Sequence, residues 1–540
     1  MQSMWNFRSL IIASGVAAAA IVAPGQGMAQ EEPLDYNAIN EIRDQAFNHS
    51  EVMETLGYMT DVIGPRLTGS PQMREANDWA LEKFAEWGLR NGRLEAFEFG
   101  PGWTYSKVSV RMMEPRIVQL QAYPVSWHPG TNGPVQAEVI LAAMESEDDF
   151  DEYRGKLEGK IVLLSGYSER GEPSNNVFTR RSEENLESLA ISDVPVGSPP
   201  SFAQFADLFT FQAKLFEFLR DEGAVAAVRR SPRDAALIEA SGYLHREGRT
   251  PEVPLVSVST EDYERMLRLL DRDIPVAMEV EVEAEYHTED MNSYNSLADI
   301  PGTTREIVMA GAHFDSWFVG DGAVDNGAGS AVVMEAARIL AALDFRPRRT
   351  IRFALWGGEE QGLFGSAQHV RAHYGDRPAP ADEELADLPA FFWFNTTWPV
   401  TPGRDHGRLS AYFNLDNGSG RIRGIYGEGN AALKPIFERW FEPFHDVEAK
   451  TVSLNGTGGT DHLFFQWVGL PAFQFIQDPL DYGARLHHTQ IDTYDHVYEA
   501  DLKQASAIMA SFLYHAAMRE ERLPRKPLPS EPPNSGGAED

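Results

Sequence analysis

Glu306-Ile-Val-Met-Ala-Gly-Ala-His313, followed by Gly322-Ala-Val-Asp-Asn-Gly-Ala-Gly329, decides how this chain is read. The first stretch is a short apolar run that predicts a buried strand over Glu306 to Ala310, leading into His313. The second is a glycine-rich turn holding Asp325, and from Gly329 to Ala342 small and apolar residues predict a helix. A strand that ends in a turn and feeds a helix is half of a βαβ unit.

The unit recurs downstream. Thr350 to Leu355 predicts a strand leading into Glu359 and Glu360, and Gly362 to His373 a helix. Leu409 to Leu415 predicts a strand leading into Asp416, Asn430 to Phe441 a helix, Leu470 to Phe475 a strand, and Tyr498 to Arg519 a last helix. This alternation over 286–520 predicts an α/β domain with a mostly parallel or mixed central sheet flanked by helices. Ligands bind such sheets beyond the carboxyl ends of the strands, where His313, Glu359, Glu360 and Asp416 all fall.

The rest of the chain is organised around that domain. Residues 1–29 have a basic start at Arg8, a short apolar core from Leu10 to Val22 and a small-residue end at Gly27-Met-Ala29, the pattern of a secretory signal. The apolar run falls short of the ~20 residues a membrane span needs. Export to the periplasm or the medium is expected, with no stable membrane span after cleavage. Residues 30–119 predict helices at Ala38–Phe47, Val52–Ile63 and Met73–Leu89, then strands at Leu94–Phe99 and Val108–Met113, and are read as the first part of the same domain as 286–520. Residues 120–285 hold short β-rich runs at Val135–Leu141, Lys160–Leu164, Ala224–Val228 and Val253–Val258, a helix at Phe211–Glu222 and a polar loop from Gly166 to Pro200. None carries a His–carboxylate cluster, and the region is read as an inserted domain. Residues 521–540, rich in Pro, Ser and Gly, are expected to be a disordered tail.

Composition narrows the chemistry. A length of 540 residues predicts more than one core, and a formal charge of −34 excludes nucleic acid as a partner. With no cysteine, thiol nucleophiles, disulfides and thiolate zinc ligands are all ruled out. A metal would have to sit on His, Asp and Glu, a donor mixture typical of catalytic sites. His313, Asp325, the Glu359–Glu360 pair, Asp416 and the His487-His-Thr-Gln-Ile-Asp492 segment supply that set, enough for two ions. Two close cations repel, and a shared carboxylate offsets the repulsion; Asp325, in its glycine-rich turn, fits that role best. Adjacent side chains on extended backbone point opposite ways, so one glutamate of the pair can ligate while the other faces a bound water.

The blocks Gly311-Ala-His-Phe-Asp-Ser-Trp317, Gly320-Asp-Gly-Ala-Val-Asp-Asn-Gly-Ala-Gly329, Arg348 to Trp356 and Gly358-Glu-Glu-Gln-Gly362 resemble the co-catalytic zinc exopeptidases, in the plasma glutamate carboxypeptidase (carboxypeptidase Q) branch. Gly64-Pro-Arg-Leu-Thr-Gly-Ser70, Gly459-Thr-Asp-His462 and His488-Thr-Gln-Ile-Asp-Thr493 add to the likeness, which covers about 45–115 and 290–515. Through Gly159–Leu164 and Gly223–Val228, residues 120–285 resemble the protease-associated domain of that branch.

The resemblance implies a zinc-exopeptidase fold, two Zn²⁺ ions and a peptide or dipeptide substrate. It implies His313, Asp416, Glu360 and His488 as metal ligands, Asp325 as the bridge, Glu359 as general acid/base and Asp315 as the residue that orients His313. It also points to a cis peptide at Asp325–Asn326. Tyr482 is a candidate oxyanion donor. His488 rather than His487 matches the family ligand, and His462 is read as structural. His369, His373 and His445 are read as surface groups, and Trp317, Trp356 and Trp398 as pocket-lining candidates, with Trp356 better placed in a core. A non-catalytic binding protein on the same fold and a single-zinc glutaminyl cyclase are the alternatives, and the full ligand set argues against both. Side-chain preference and oligomeric state stay open, a homodimer included.

Overall fold

A computed structural model describes residues 32–169, 176–191, 206–242 and 250–532. The expected signal, 1–29, lies outside the described residues. Two eight-stranded sheets organise the rest. The strands of the first, numbered within that sheet, are β1 (Arg90–Glu98), β2 (Asn292–Ile300), β3 (Ile307–His313), β4 (Thr350–Trp356), β5 (Leu409–Asn414), β6 (Ile422–Tyr426), β7 (Thr451–Ser453) and β8 (Ala472–Gln477). Their spatial order is β1-β2-β4-β3-β5-β8-β6-β7. The neighbouring strands β4, β3, β5 and β8 are parallel, while β1, β2 and β6 run antiparallel to their inner neighbours.

Every residue of β3 is buried, as expected for a strand covered on both faces. Its side chains alternate between two apolar layers. Val308, Ala310 and Ala312 join the layer built with the helices Ala328–Ala342 and Glu499–Met518. Ile307 and Met309 join a smaller layer with Val370, Phe465 and Trp356. Trp356 is therefore core, with its indole N–H donating to the Tyr412 hydroxyl at 2.7 Å. The mixed α/β architecture with helix-covered sheets matches the sequence expectation.

The second sheet is inserted between β1 and β2. Its strands run from Gly102–Glu114 to Ala277–His287, which pair antiparallel along most of their length. Between them, Val135–Leu141, Ile161–Leu163, Ala226–Arg230 and Leu255–Val258 form a parallel group. The sequence places Val108–Met113 in the catalytic part and a boundary at 119/120; in the structure that run is a strand of the second sheet. Alternation reveals a strand but not its partner, and the partner lies more than a hundred residues on.

Two further expectations change. The polar stretch 166–200 holds a helix, Glu183–Ala190, capped by Ser182. Residues 521–532 lie against the first sheet rather than free of it. Leu523 is buried with its N–H on Ser410 Oγ at 3.2 Å, and Asn430 donates to Pro524 O at 2.9 Å. Residues 533–540 fall outside the described residues.

Candidate active site

The carboxyl ends of the four parallel strands converge on one cluster. His313 is the last residue of β3; Glu359 and Glu360 follow β4, Asp416 follows β5, and the loop after β8 delivers Tyr482, His487 and His488. His313 Nε2 lies 3.2 Å from Asp325 Oδ1 and 3.3 Å from Asp416 Oδ1. His488 Nε2 lies 3.3 Å from Asp325 Oδ2 and 3.0 Å from Glu360 Oε2. Asp325 thus turns one oxygen to each histidine. His313, Asp325 and Asp416 have donor atoms within 4.8 Å of one another, as do Asp325, His487 and His488.

The turn that carries Asp325 is held from several sides. Gly322 sits at φ +62°, and a Cβ there would come within 2.3 Å of Ser316 Cβ. Asp492 accepts from the Val324 and Asp325 amides at 2.6 and 3.0 Å. Fully buried Arg66 donates to the carbonyls of Phe314 (2.7 Å), Asp321 (3.1 Å) and Gly322 (2.8 Å). Burial brings Arg66 down to about 10, while Asp492, Asp315, Asp321 and Asp325 favour its charge. The Asp325–Asn326 peptide is cis.

Asp315 occupies a different place from the one expected. His313 Nδ1 is 2.9 Å from the Asp315 backbone carbonyl, and the carboxylate stands off at 3.8 Å. The carboxylate instead accepts from the amides of Glu359 (3.1 Å) and Glu360 (3.2 Å) and from Thr68 Oγ1 (3.0 Å). It fixes the glutamate pair rather than the ring. The backbone supplies the bond to His313, because the Phe314 turn brings that carbonyl under the imidazole.

Electrostatically the cluster is short of positive charge. Burial pushes Glu359 well above the usual carboxylate range; His313 opposes it, and Asp416, Asp461 and Glu360 add to it. Burial likewise lifts Glu360 to about 7 and Asp461 to about 8. His313 is driven down by burial but held well above its ordinary value by Asp416, Glu359 and Asp325. Burial also favours protonation of Asp325, yet His313 and His488 hold it well below the usual range. Asp325 Oδ2 and Glu360 Oε1 are buried and accept no aligned hydrogen bond. Orphaned carboxylate oxygens beside imidazole nitrogens are the donor chemistry of a divalent metal site, so the residues fit such ions.

His488 adopts φ +61°, a region costing a non-glycine residue about 1–3 kcal/mol. Neighbouring bonds hold it there: Thr489 Oγ1 donates to Arg485 O at 2.6 Å and His487 N to Tyr482 O at 2.9 Å. His487 stacks on His488 with ring centres 3.6 Å apart, stays 3.8 Å from Asp325 Oδ2, and is lowered to about 4 by burial and by His488. Tyr482 packs edge-on against His487 at 5.0 Å, and burial keeps its hydroxyl protonated. Trp317 Nε1 is buried without a partner, its ring 6.0 Å from that of His488. His462 is fully buried, 3.2 Å from Thr457 O, in a structural position.

A cleft of about 370 Å³ opens on the cluster, walled by Leu363, Phe391, Asn417, Gly459, Thr460 and Tyr482. The second sheet reaches it: Arg233 donates to His487 O at 2.9 Å, and Ile238 N to Gln490 Oε1 at 2.7 Å. Arg66, Thr68, Asp461 and Asp492 lie in fragments that carry the likeness, but their roles, like that of Arg233, could not be read there, because each acts by meeting a residue distant in sequence.

Residues 295–513 match the model of Peptidase family M28. Carboxypeptidase Q of Mus musculus is 25% identical over 528 residues, covering 94% of this chain and 97% of its own. The crystal structure of a Peptidase M28 precursor from Shewanella amazonensis SB2B superposes with a TM-score of 0.64 at 25% identity, over 92% of this chain and 98% of its own. The matched segment is the α/β part of the chain that carries the cluster. A zinc aminopeptidase from Bacillus subtilis, 19% identical, shares the fold with a TM-score of 0.54 over 87% of this chain and 95% of its own. The reaction class is accordingly that of a metallo-exopeptidase, a hydrolase of peptide bonds. Among the described residues, no helix is long and apolar enough to cross a membrane.

Proposed function

We propose that the chain is a zinc exopeptidase that removes N-terminal residues from peptides or splits dipeptides at a two-ion centre. The observation that carries this is Asp325, with one carboxylate oxygen at His313 and the other at His488. His313 and Asp416 would hold one ion, His488 and Glu360 the other, and Asp325 both. Imidazole and carboxylate donors without thiolate suit zinc, and the Bacillus subtilis relative is named a zinc aminopeptidase. When bound, the ions supply a polarised substrate carbonyl and a water of lowered pKa.

The protein's own residues do the rest. Glu359 takes the proton of the attacking water and passes it to the leaving amine; its burial favours the protonated form that the second half of this exchange needs. Asp315, by accepting both glutamate amides, fixes Glu359 and Glu360 in their divided roles. Tyr482, kept protonated, donates to the developing oxyanion. None of the described residues lining the cleft is Lys or Arg, whereas Asp325, Glu359, Glu360 and Asp416 face it. With no lysine or arginine in that lining, a terminal carboxylate has no side-chain cation to pair with there. The second sheet, inserted between β1 and β2, is read as a protease-associated domain that closes one side of the cleft through Arg233. The leader 1–29 is read as directing export.

The test is a panel of dipeptides, longer peptides and their N-acetylated forms. Free amino termini are cleaved and N-acetylated ones are not. Efficient cleavage inside a doubly blocked peptide would overturn the exopeptidase reading.

A further inference from the structure

Away from the catalytic cluster, and sharing no donor with it, Glu95, His369 and His373 come together. His369 and His373 sit one turn apart on the helix Phe364–His373, so both rings leave the same face. Glu95 comes from the edge strand β1 and divides its carboxylate between them. Oε1 is 2.6 Å from His369 Nδ1, and Oε2 is 3.0 Å from His373 Nε2. We propose that these three side chains bind a further divalent transition-metal ion, of the borderline class that zinc and cobalt represent.

Two observations separate this group from an ordinary His–carboxylate clamp. The first is the setting of His369. Its side chain is wholly buried, and burial outweighs the pull of Glu95 to hold it below its ordinary value. As a neutral ring it has one N–H. Its Nε2 has no hydrogen-bond partner, and the rings of Trp356, Tyr374 and Phe465 pack around the imidazole. With the proton on Nδ1, Nε2 leaves a bare lone pair in an aromatic wall. With the proton on Nε2, which an aromatic wall accepts better, Nδ1 presents a lone pair to a carboxylate oxygen. That second arrangement is repulsive unless a cation lies between them, and a metal ion is what a neutral imidazole and a carboxylate share.

The second observation is access. His373 and Glu95 are partly exposed, so an ion can enter from solvent and keep a water as its remaining ligand. Donors around a tetrahedral zinc with bonds of about 2.0–2.1 Å stand about 3.3 Å apart. From 2.6 and 3.0 Å, the present separations need to open by about 0.7 and 0.3 Å. Arg352 and Arg93 are nearby cations that oppose binding; both face Asp299, Arg352 at 2.8 and 3.2 Å and Arg93 at 3.9 Å. A bound ion would staple β1 to the helix that follows directly from Glu359 and Glu360.

The measurement is zinc per chain in the full-length enzyme after equilibration in a zinc buffer, for the wild type, His373→Ala, Glu95→Gln and Asp325→Ala. The wild type is expected to hold one zinc more than His373→Ala or Glu95→Gln, with turnover retained in both variants. Asp325→Ala, whose catalytic ions are lost, is expected to keep this ion. Within the Asp325→Ala background, added zinc should raise Tm, and the further change His373→Ala should remove that rise. Equal zinc in the wild type and in both variants overturns the site, whether the shared count is high or low. A zinc-induced Tm rise that survives His373→Ala overturns it as well.

Discussion

The two sheets of this molecule are built alike and do different things. Each has eight strands, and each contains four consecutive parallel ones. In the first, the strands end in His313, the Glu359–Glu360 turn, Asp416 and the loop of His488. In the second, Ser165, Ser231 and Ser259 follow the strand ends. Ser231 Oγ donates to Leu237 O at 2.8 Å, Ser259 caps the helix Thr260–Leu270, and the Ser165 amide donates to Tyr263 Oη at 2.9 Å. Serines there finish local backbone, whereas the residues at the first sheet's ends face one another across a cleft. The topology offers a crevice in both cases; the chemistry of a few residues past each strand decides which crevice becomes a site.

The most damaging way to break this contrast is to remove the residue the two half-sites share. Asp325→Ala should abolish activity and release both catalytic ions together, measured by metal content and turnover. Loss of one ion with the other intact would show that the two halves are independent. Next comes Glu359→Gln, which should lower kcat by about 10²–10⁴ with metal content unchanged. Glu360→Gln should instead lower metal affinity, and reversed behaviour would exchange the two assignments. Asp315→Asn keeps its shape but loses charge and one acceptor for the amides of Glu359 and Glu360. A loss of about 10–100-fold in activity or metal affinity is expected, on the scale of groups that orient ligands. The smallest effect should come from the second sheet. Arg233→Ala removes the bonds to His487 O and Gly483 O, and should raise KM while leaving kcat and metal content near wild type. A collapse of kcat there would mean that the second sheet takes part in the chemistry.

Much of the first sheet was legible because parallel strands buried on both faces are short apolar runs. Ile307–His313 and Thr350–Trp356 are of this kind, and each runs into a turn with a titratable residue. Asn292–Ile300 was not legible. Its buried Asn295 and Ser296 are polar, satisfied by Gly365 O at 3.0 Å, the Gly357 amide at 3.1 Å and Asn77 Oδ1 at 2.7 Å. Ala277–His287 was legible but not read: Glu279, Glu281 and Glu283 alternate with the buried Met278, Val280 and Val282 in the period of a half-buried strand. In the site, the ligand types could be read from spacing and resemblance, but Asp315's partners could not, because they depend on where a turn places two amides. His369, read as a surface group, is fully buried, since its partner Glu95 lies on a strand 274 residues earlier. The choice between His487 and His488 is sharpened by geometry: His488 is the nearer to Asp325 and the one that meets Glu360. His488→Ala should impair metal binding more than His487→Ala.

The central claim is that the first sheet's strand ends hold two ions on one shared carboxylate. Diffraction from crystals of the zinc-loaded enzyme, recorded at the zinc absorption edge, tests it most directly. The account predicts two anomalous peaks flanking Asp325, one beside His313 and Asp416, the other beside His488 and Glu360. A single peak at the cluster, or none in an enzyme that turns over, would contradict it.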